Sequence, residues 1–149
     1  MENKSRIKMS LQNISKSFHS RKETQEAVAD VSFDVYENEF LVILGPGQCG
    51  KTVLLNMIAG LESPTTGKML YEGKEYHGVN DGFGLVFQKT ALMDWMTVME
   101  NVEFGLKIKK MPKEERRAIA QKYIDLVGLN GFEDKYPRQL SGGMKQRVG

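Results

Sequence analysis

The sequence predicts an α/β fold in which a strand, a glycine-rich loop and a helix follow one another. Three observations predict it: an apolar run at residues 40–44, a Gly-Pro-Gly-Gln-Cys-Gly-Lys-Thr loop at residues 45–52, and a helix-like apolar run at residues 53–59. The loop fits the pattern G-x-x-x-x-G-K-[ST], which is far more specific between a strand and a helix than as a string alone.

Length and composition are those of one globular domain or part of one. The chain has 149 residues, of which 40% are hydrophobic and 27% charged. Its net charge of +2 comes from 21 basic and 19 acidic residues that are interspersed, so nucleic acid is not an expected partner. No apolar run reaches the length of a membrane span and the N-terminus has no signal core, so we expect a cytoplasmic protein. The single cysteine, Cys49, is expected to be a small loop residue rather than a redox group.

The first half of the chain predicts a sheet and a buried strand–helix pair. Residues 7–14 and 27–35 alternate apolar and polar positions, which predicts two antiparallel strands. Residues 40–44 are apolar throughout, which predicts a central strand covered on both faces, and the helix after the loop is expected to be buried nearly all round. Residues 68–71 and 74–76 predict a hairpin, and residues 84–87 another short strand.

The second half predicts helices. Thr97 and Glu100 have the spacing of a capping box, so a helix should start there and run toward Ile108. Pro112 suits the start of another helix, which should end at Gly128. Its apolar stripe, which we interpret as packing, consists of Ile119, Ala120, Tyr123, Ile124 and Val127.

The glycine-rich loop has the chemistry of a triphosphate cradle. Backbone N–H groups at a helix N-terminus bind phosphate oxygens, and glycines let the backbone come close. Lys51 supplies a charge for the β- and γ-phosphates, and the Thr52 hydroxyl suits Mg²⁺, which prefers oxygen ligands. The predicted ATP-binding residues here are Gly45, Pro46, Gly47, Gln48, Cys49, Gly50, Lys51, Thr52 and Val53.

A second glycine-rich motif, Leu-Ser-Gly-Gly-Met-Lys-Gln-Arg, occupies residues 140–147. Ser141 could cap a helix whose first turn contains Gly142 and Gly143. With the first loop, and with Gln88 between the two, this motif resembles the ATP-binding subunits of ABC transporters over essentially the whole chain. Residues 91–102 and 136–144 look most like the nitrate, sulfonate and taurine importer branch, although Asp94 stands where proline is common.

The resemblance implies a P-loop NTPase core with an N-terminal antiparallel β subdomain and a helical subdomain, divided into residues 1–96 and 97–149. It implies a homodimer, or a pair with another ATP-binding subunit, in which Ser141, Gly142 and Gly143 of one subunit close on the ATP at Lys51 of the other. The partner in the membrane would be a transmembrane permease subunit, with this chain peripheral on the inner face of the cell membrane. Trp95 could lie near the permease docking groove or in the core.

By the same resemblance, Phe18 would stack on adenine, with an ordinary strand-end aromatic as the alternative. Gln88 would reach Mg²⁺ and the attacking water, so Gln88 and Lys51 are the candidate catalytic residues and Thr52 and Gln88 the candidate metal ligands. The loop departs from the family pattern at Gln48, where a positive φ would cost on the order of 1 kcal/mol, and at Val53, where a hydroxyl is common.

The family continues past the second motif into an apolar strand ending in Asp-Glu and then a switch histidine, and none of these precedes the last residue, Gly149. The C-terminal part of the core is therefore expected to be missing, with marginal stability, an unpaired edge at residues 40–44 and negligible ATP hydrolysis by this chain alone. A truncated, non-catalytic copy that at most binds nucleotide or partner subunits is the alternative to an importer ATPase. A soluble P-loop kinase or GTPase does not explain residues 140–147.

Overall fold

A four-stranded antiparallel sheet and one helix form the first part of the chain in a computed structural model that describes residues 6–20 and 23–149. The strands are β1 (Ile7–His19), β2 (Thr24–Tyr36), β3 (Thr66–Tyr71) and β4 (Lys74–Glu75), in the order β2-β1-β3-β4. Helix α1 is Lys51–Ile58. The predicted first strand pair and the predicted hairpin are confirmed.

The core of this part lies between the sheet and α1. Leu54 and Met57 of α1 are buried, and so is Tyr76 after β4. The buried residues of β1, β2 and β3 are Leu11, Ile14, Val28 and Met69. Burial of these apolar side chains is the main term that stabilises the unit. The prediction that α1 is buried nearly all round is wrong for Leu55, which is 45% exposed.

Residues 40–44 do not form the predicted central strand. Phe40 is 91% exposed and Leu44 is 87% exposed, while Ile43 packs against the core. A strand requires ladder hydrogen bonds to a neighbouring strand, and no strand of the described residues pairs with this run. The predicted strand at residues 84–87 is absent for the same reason, and Val86 is 84% exposed.

The chain divides into two compact units, Met1–Leu85 and Val86–Gly149. The second is helical, with α2 (Val98–Ile108), α3 (Lys113–Leu126), a 3-10 turn (Pro137–Gln139) and α4 (Gly142–Val148). The predicted capping box begins α2: Glu100 N–H donates to Thr97 Oγ1 over 3.3 Å, and Thr97 N–H donates to Glu100 Oε2 over 2.8 Å. The division at residues 96 and 97 stays a prediction about subdomains.

Helices α2 and α3 pack through an apolar core and are also joined by an ion pair. The core consists of Val98, Met99, Ala120, Ile124, Leu129 and Leu140. Glu103, which is 4% exposed, accepts a hydrogen bond of 2.9 Å from Arg116 Nε. Of the predicted stripe on α3, Tyr123 is 54% exposed, so the stripe is narrower than predicted. None of the helices in the described residues is long and apolar enough to span a lipid bilayer.

Candidate nucleotide-binding site

The glycine-rich loop runs from residue 45 into the first turn of α1. Gly50 is the N-cap of α1, and its carbonyl oxygen accepts the first helical hydrogen bond, from Leu54 N–H over 2.9 Å. Gln48 has φ of +64° and Gly50 has φ of +87°. The positive φ considered for Gln48 from the sequence is therefore present, and left-handed residues at this point shape a concave turn of the kind that turns N–H groups toward an anion.

Gly50 is also where the loop touches the sheet. A Cβ atom at this position would lie 2.1 Å from the carbonyl oxygen of Ala27 on β2. Together with the positive φ, this contact requires glycine at position 50. Gly47 differs, since a Cβ atom there would meet no atom within 4 Å.

The Lys51 ammonium lies over the loop that precedes it. Its Nζ donates to the carbonyl oxygens of Gly45 over 2.9 Å and Pro46 over 2.6 Å, and it lies 3.3 Å from Cys49 Sγ. Cys49 itself is exposed. These contacts keep a positive charge at the centre of the loop, where the oxygens of a phosphate group would be attracted to it.

A cavity of about 310 Å³ brings the loop together with the end of the first hairpin. Its lining consists of Phe18, Gln25, Glu26, Ala27, Gln48, Cys49, Gly50, Lys51, Thr52 and Val53. The β1–β2 register pairs Phe18 with Gln25, which is why an aromatic residue 27 positions before the loop lies beside it. The predicted loop residues Gly45, Pro46 and Gly47 are not part of the lining.

Gln25 and Glu26 were missed by the sequence reasoning. The signal that could have found them is the hairpin itself: an antiparallel pair places residues of the second strand opposite Phe18 once the turn position is known. The sequence reasoning also missed Lys16, whose Nζ lies 5.1 Å from the centre of the Phe18 ring. Residues two apart on a strand share a face, so this pair is visible as a period-two pattern.

The remaining predicted site residues, Gln88, Ser141, Gly142 and Gly143, belong to the second unit. Gln88 is exposed in a segment without helix or strand. Ser141 caps α4 as predicted, since its Oγ accepts a hydrogen bond of 3.3 Å from Met144 N–H. Gly142 and Gly143 are exposed in the first turn, with open space where a Cβ atom would be.

The donor set around the cavity suits a triphosphate with Mg²⁺. Gly50 keeps the loop against β2, Lys51 supplies the cation and the exposed Thr52 supplies a hydroxyl oxygen. Mg²⁺ commonly keeps several waters and takes few protein ligands beside substrate phosphates, so a single hydroxyl is an adequate protein contribution. The described residues contain no cluster of three or more His, Cys, Asp or Glu side chains arranged to bind a metal.

The family model described as ABC transporter matches residues 28–149. This chain belongs to the ABC transporter family. An uncharacterized ABC transporter ATP-binding protein of Methanocaldococcus jannaschii is 52% identical over 143 residues, which are 96% of this chain and 54% of the relative. A taurine import ATP-binding protein of Pelagibacter ubique is 44% identical over 92% of this chain and 52% of its own length. A nitrate import ATP-binding protein of Synechocystis is 39% identical over 94% of this chain and 53% of its own length.

The fold of this ABC transporter chain is that of a partial ATP-binding cassette. A solved dimeric cassette in a post-hydrolysis state, bound to ADP and Pi, is 33% identical in sequence and superposes with a TM-score of 0.84. The match covers 94% of this chain and 66% of the solved cassette chain. The predicted fold class and family are confirmed. The chain spans about half the length of the curated relatives it matches.

Proposed function

We propose that this chain binds ATP with Mg²⁺ as the ATP-binding subunit, or part of it, of an ABC importer. The observation that carries the proposal is a cavity whose lining joins residues 48–53, among them Lys51 and Thr52, with Phe18. The import ATP-binding proteins that resemble the chain at 39–46% identity support the importer branch. A small solute of the taurine, sulfonate or nitrate kind is the proposed cargo.

The phosphates would bind to the loop backbone, and the base would lie against the hairpin end. Lys51 Nζ, which bonds loop carbonyl oxygens in this structure, would exchange these bonds for stronger, charge-assisted contacts to the β- and γ-phosphates. Thr52 Oγ1 would be a ligand of Mg²⁺, whose charge offsets that of the phosphates. The base would stack on Phe18, which is 42% exposed at the cavity.

The proposed assembly pairs two nucleotide-binding subunits and a permease. Ser141, Gly142 and Gly143 would contact the γ-phosphate bound by a second copy or a paired subunit, and their exposure supports this role. Gln88 would orient water and reach Mg²⁺ in the hydrolysis proposed for the whole protein. The permease would bring the chain to the inner face of the cell membrane.

Residues 93–97, which follow Gln88, are the proposed contact with the permease. Asn101 of α2 accepts a hydrogen bond from Met93 N–H over 2.8 Å, and its amide donates to the carbonyl oxygens of Met93, Met96 and Thr97 over 2.9–3.2 Å. The turn is thereby fixed while Trp95 stays 72% exposed. An exposed tryptophan on a fixed turn is suited to a protein interface and argues against the core alternative.

Calorimetric titration of the 149-residue chain with MgATP tests the nucleotide part of the proposal. We expect saturable binding that Lys51→Ala weakens more than tenfold, because the charge-assisted contact to phosphate is lost. Lys122→Ala, on the exposed surface of α3, is the control and should bind as the unchanged chain does. An affinity for MgATP that Lys51→Ala leaves unchanged would contradict the proposed site.

The same preparation tests the expectation that this chain alone hydrolyses ATP negligibly. Release of inorganic phosphate from MgATP that Lys51→Ala abolishes would contradict both that expectation and the alternative of a non-catalytic copy. A lower release by Gln88→Ala, without a matching loss of ATP affinity, would then support the catalytic role of Gln88.

A further inference from the structure

We propose that the ion pair between Lys16 and Glu62 positions the Phe18 ring for the purine base, which makes Lys16 a determinant of base affinity. The inference rests on the proposed nucleotide-binding function and deepens it. Lys16 would not touch the nucleotide, so it is a positioning residue rather than a catalytic one. The starting observation is a cation placed over the one aromatic ring that lines the cavity.

The Lys16 ammonium is fixed by two oxygen acceptors. Its Nζ donates to Glu62 Oε1 over 2.5 Å and to the carbonyl oxygen of Ser63 over 2.7 Å. Only 12% of the Lys16 side chain is exposed, although lysine side chains are usually solvated. An ordinary surface lysine would move freely, whereas this one has a set position in the fold.

The ring of Phe18 is held in turn by the ammonium. Lys16 Nζ lies 5.1 Å from the ring centre, within the range of a cation–π contact. Phe18 lines the cavity and Lys16 does not, so the ammonium can hold the ring without being part of the surface that a ligand in the cavity would contact. The cation also draws π-electron density toward itself, which favours stacking of an electron-rich purine on the ring.

The pair therefore links the base end of the site to a remote segment of the chain. Glu62 and Ser63 follow α1, the helix that begins at the phosphate loop, and Lys16 lies on β1. The same lysine thus connects the strand that carries Phe18 with the segment that follows the loop helix. Base stacking and phosphate binding would depend on this connection to different degrees, which a choice of ligands can separate.

The experiment compares ATP with inorganic triphosphate, which has the phosphates but no base. We measure the affinity of both for the 149-residue chain and for Lys16→Met, which keeps the apolar stem and removes the charge. We expect ATP to bind about fivefold more weakly to Lys16→Met, and triphosphate to bind with unchanged affinity. Loss of both affinities in equal measure, or of neither, would overturn the proposal.

The chain contains a matched control for the substitution. Lys8 on β1 donates to Glu72 over 2.6 Å and lies 5.1 Å from the centre of the Tyr71 ring, but neither Lys8 nor Tyr71 lines the cavity. Lys8→Met therefore removes the same kind of ion pair and cation–π contact from the same strand. It should leave both affinities unchanged, and a loss of ATP affinity equal to that of Lys16→Met would contradict the inference.

A double-mutant cycle tests whether Lys16 acts through Phe18. Phe18→Ala should lower ATP affinity more than Lys16→Met does, and Lys16→Met should have no further effect in the Phe18→Ala background. Additive losses would overturn the proposal. Should Lys16→Met fail to fold, Glu62→Gln provides a milder change at the same pair, with a smaller loss expected for ATP and none for triphosphate.

The outcomes also distinguish this inference from the proposed function. A chain that binds neither ATP nor triphosphate would contradict both. A chain that binds the two ligands equally well would keep the phosphate site and overturn the base-positioning role of Lys16. If the inference is correct, the chain binds ATP more tightly than triphosphate, and the ratio of ATP affinity to triphosphate affinity is lower in Lys16→Met.

Discussion

Replacement of Gly50 with alanine is the sharpest single test of the loop geometry. Position 50 has φ of +87°, and a left-handed backbone costs a residue with a Cβ atom about 1–2 kcal/mol. The new Cβ atom would lie 2.1 Å from Ala27 O, and the two atoms must separate by about 0.9 Å to reach 3.0 Å. Because Ala27 belongs to a paired strand, the loop should move rather than the strand. The combined cost should be at least about 2 kcal/mol.

This cost should appear both in stability and in nucleotide affinity. Urea unfolding should show a free energy of unfolding lowered by about 2 kcal/mol or more, and a shifted loop should weaken MgATP binding about 30-fold or more. Gly47→Ala is the matched control, because its Cβ atom would meet no atom within 4 Å and its φ is not positive. It should change stability by less than about 0.5 kcal/mol. Equal losses of unfolding free energy in the two variants, or an unchanged affinity of Gly50→Ala for MgATP, would refute the reasoning.

Three further predictions concern the helical unit. Arg116→Leu leaves the Glu103 carboxylate with Arg117 Nε, 3.9 Å away, as its remaining cation and should cost about 2–3 kcal/mol in urea unfolding. The added Glu103→Leu should restore most of this loss, and no restoration would contradict the pairing. Asn101→Ala removes four hydrogen bonds to residues 93–97 and should cost about 2–3 kcal/mol and speed amide exchange there, while unchanged exchange would disprove its role. The Thr97 N–H holds the pKa of Glu100 below its ordinary value of 4.5. The ionised side chain therefore stabilises the fold above pH 4.5, and this contribution is lost as the pH falls through the lowered pKa. Glu100→Gln should remove that part of the acid dependence of stability, and identical acid dependence in both chains would contradict the reasoning.

Features that depend on neighbouring residues were predictable from the sequence. The capping box at Thr97 and the helix cap at Ser141 each join residues three positions apart, and both are present. The phosphate loop is equally local, and its positive φ at Gln48 follows from a turn that lies within the motif. In each case the same few residues that form the pattern also form the hydrogen bonds or the turn.

Features that depend on remote partners were predicted less well. The apolar run at residues 40–44 has the composition of a buried strand, but composition does not supply the neighbouring strand that a ladder needs. The contact of Lys16 with Glu62 joins residues 46 positions apart, so no local pattern revealed which acid would hold that lysine. A sequence pattern indicates which local structure a segment favours, and contacts with remote residues determine whether that structure forms.

The candidate site combines both kinds of information, and this explains why its two ends should respond differently to mutation. The proposed phosphate end consists of consecutive residues of the loop and the start of α1, residues 48–52, and its geometry depends on Gly50 in particular. The proposed base end depends on the hairpin register and on the contact of Lys16 with a distant acid. Substitutions in the loop should therefore weaken ATP and triphosphate alike. Substitutions at the hairpin end should change the ratio of the two affinities while the phosphate site remains intact.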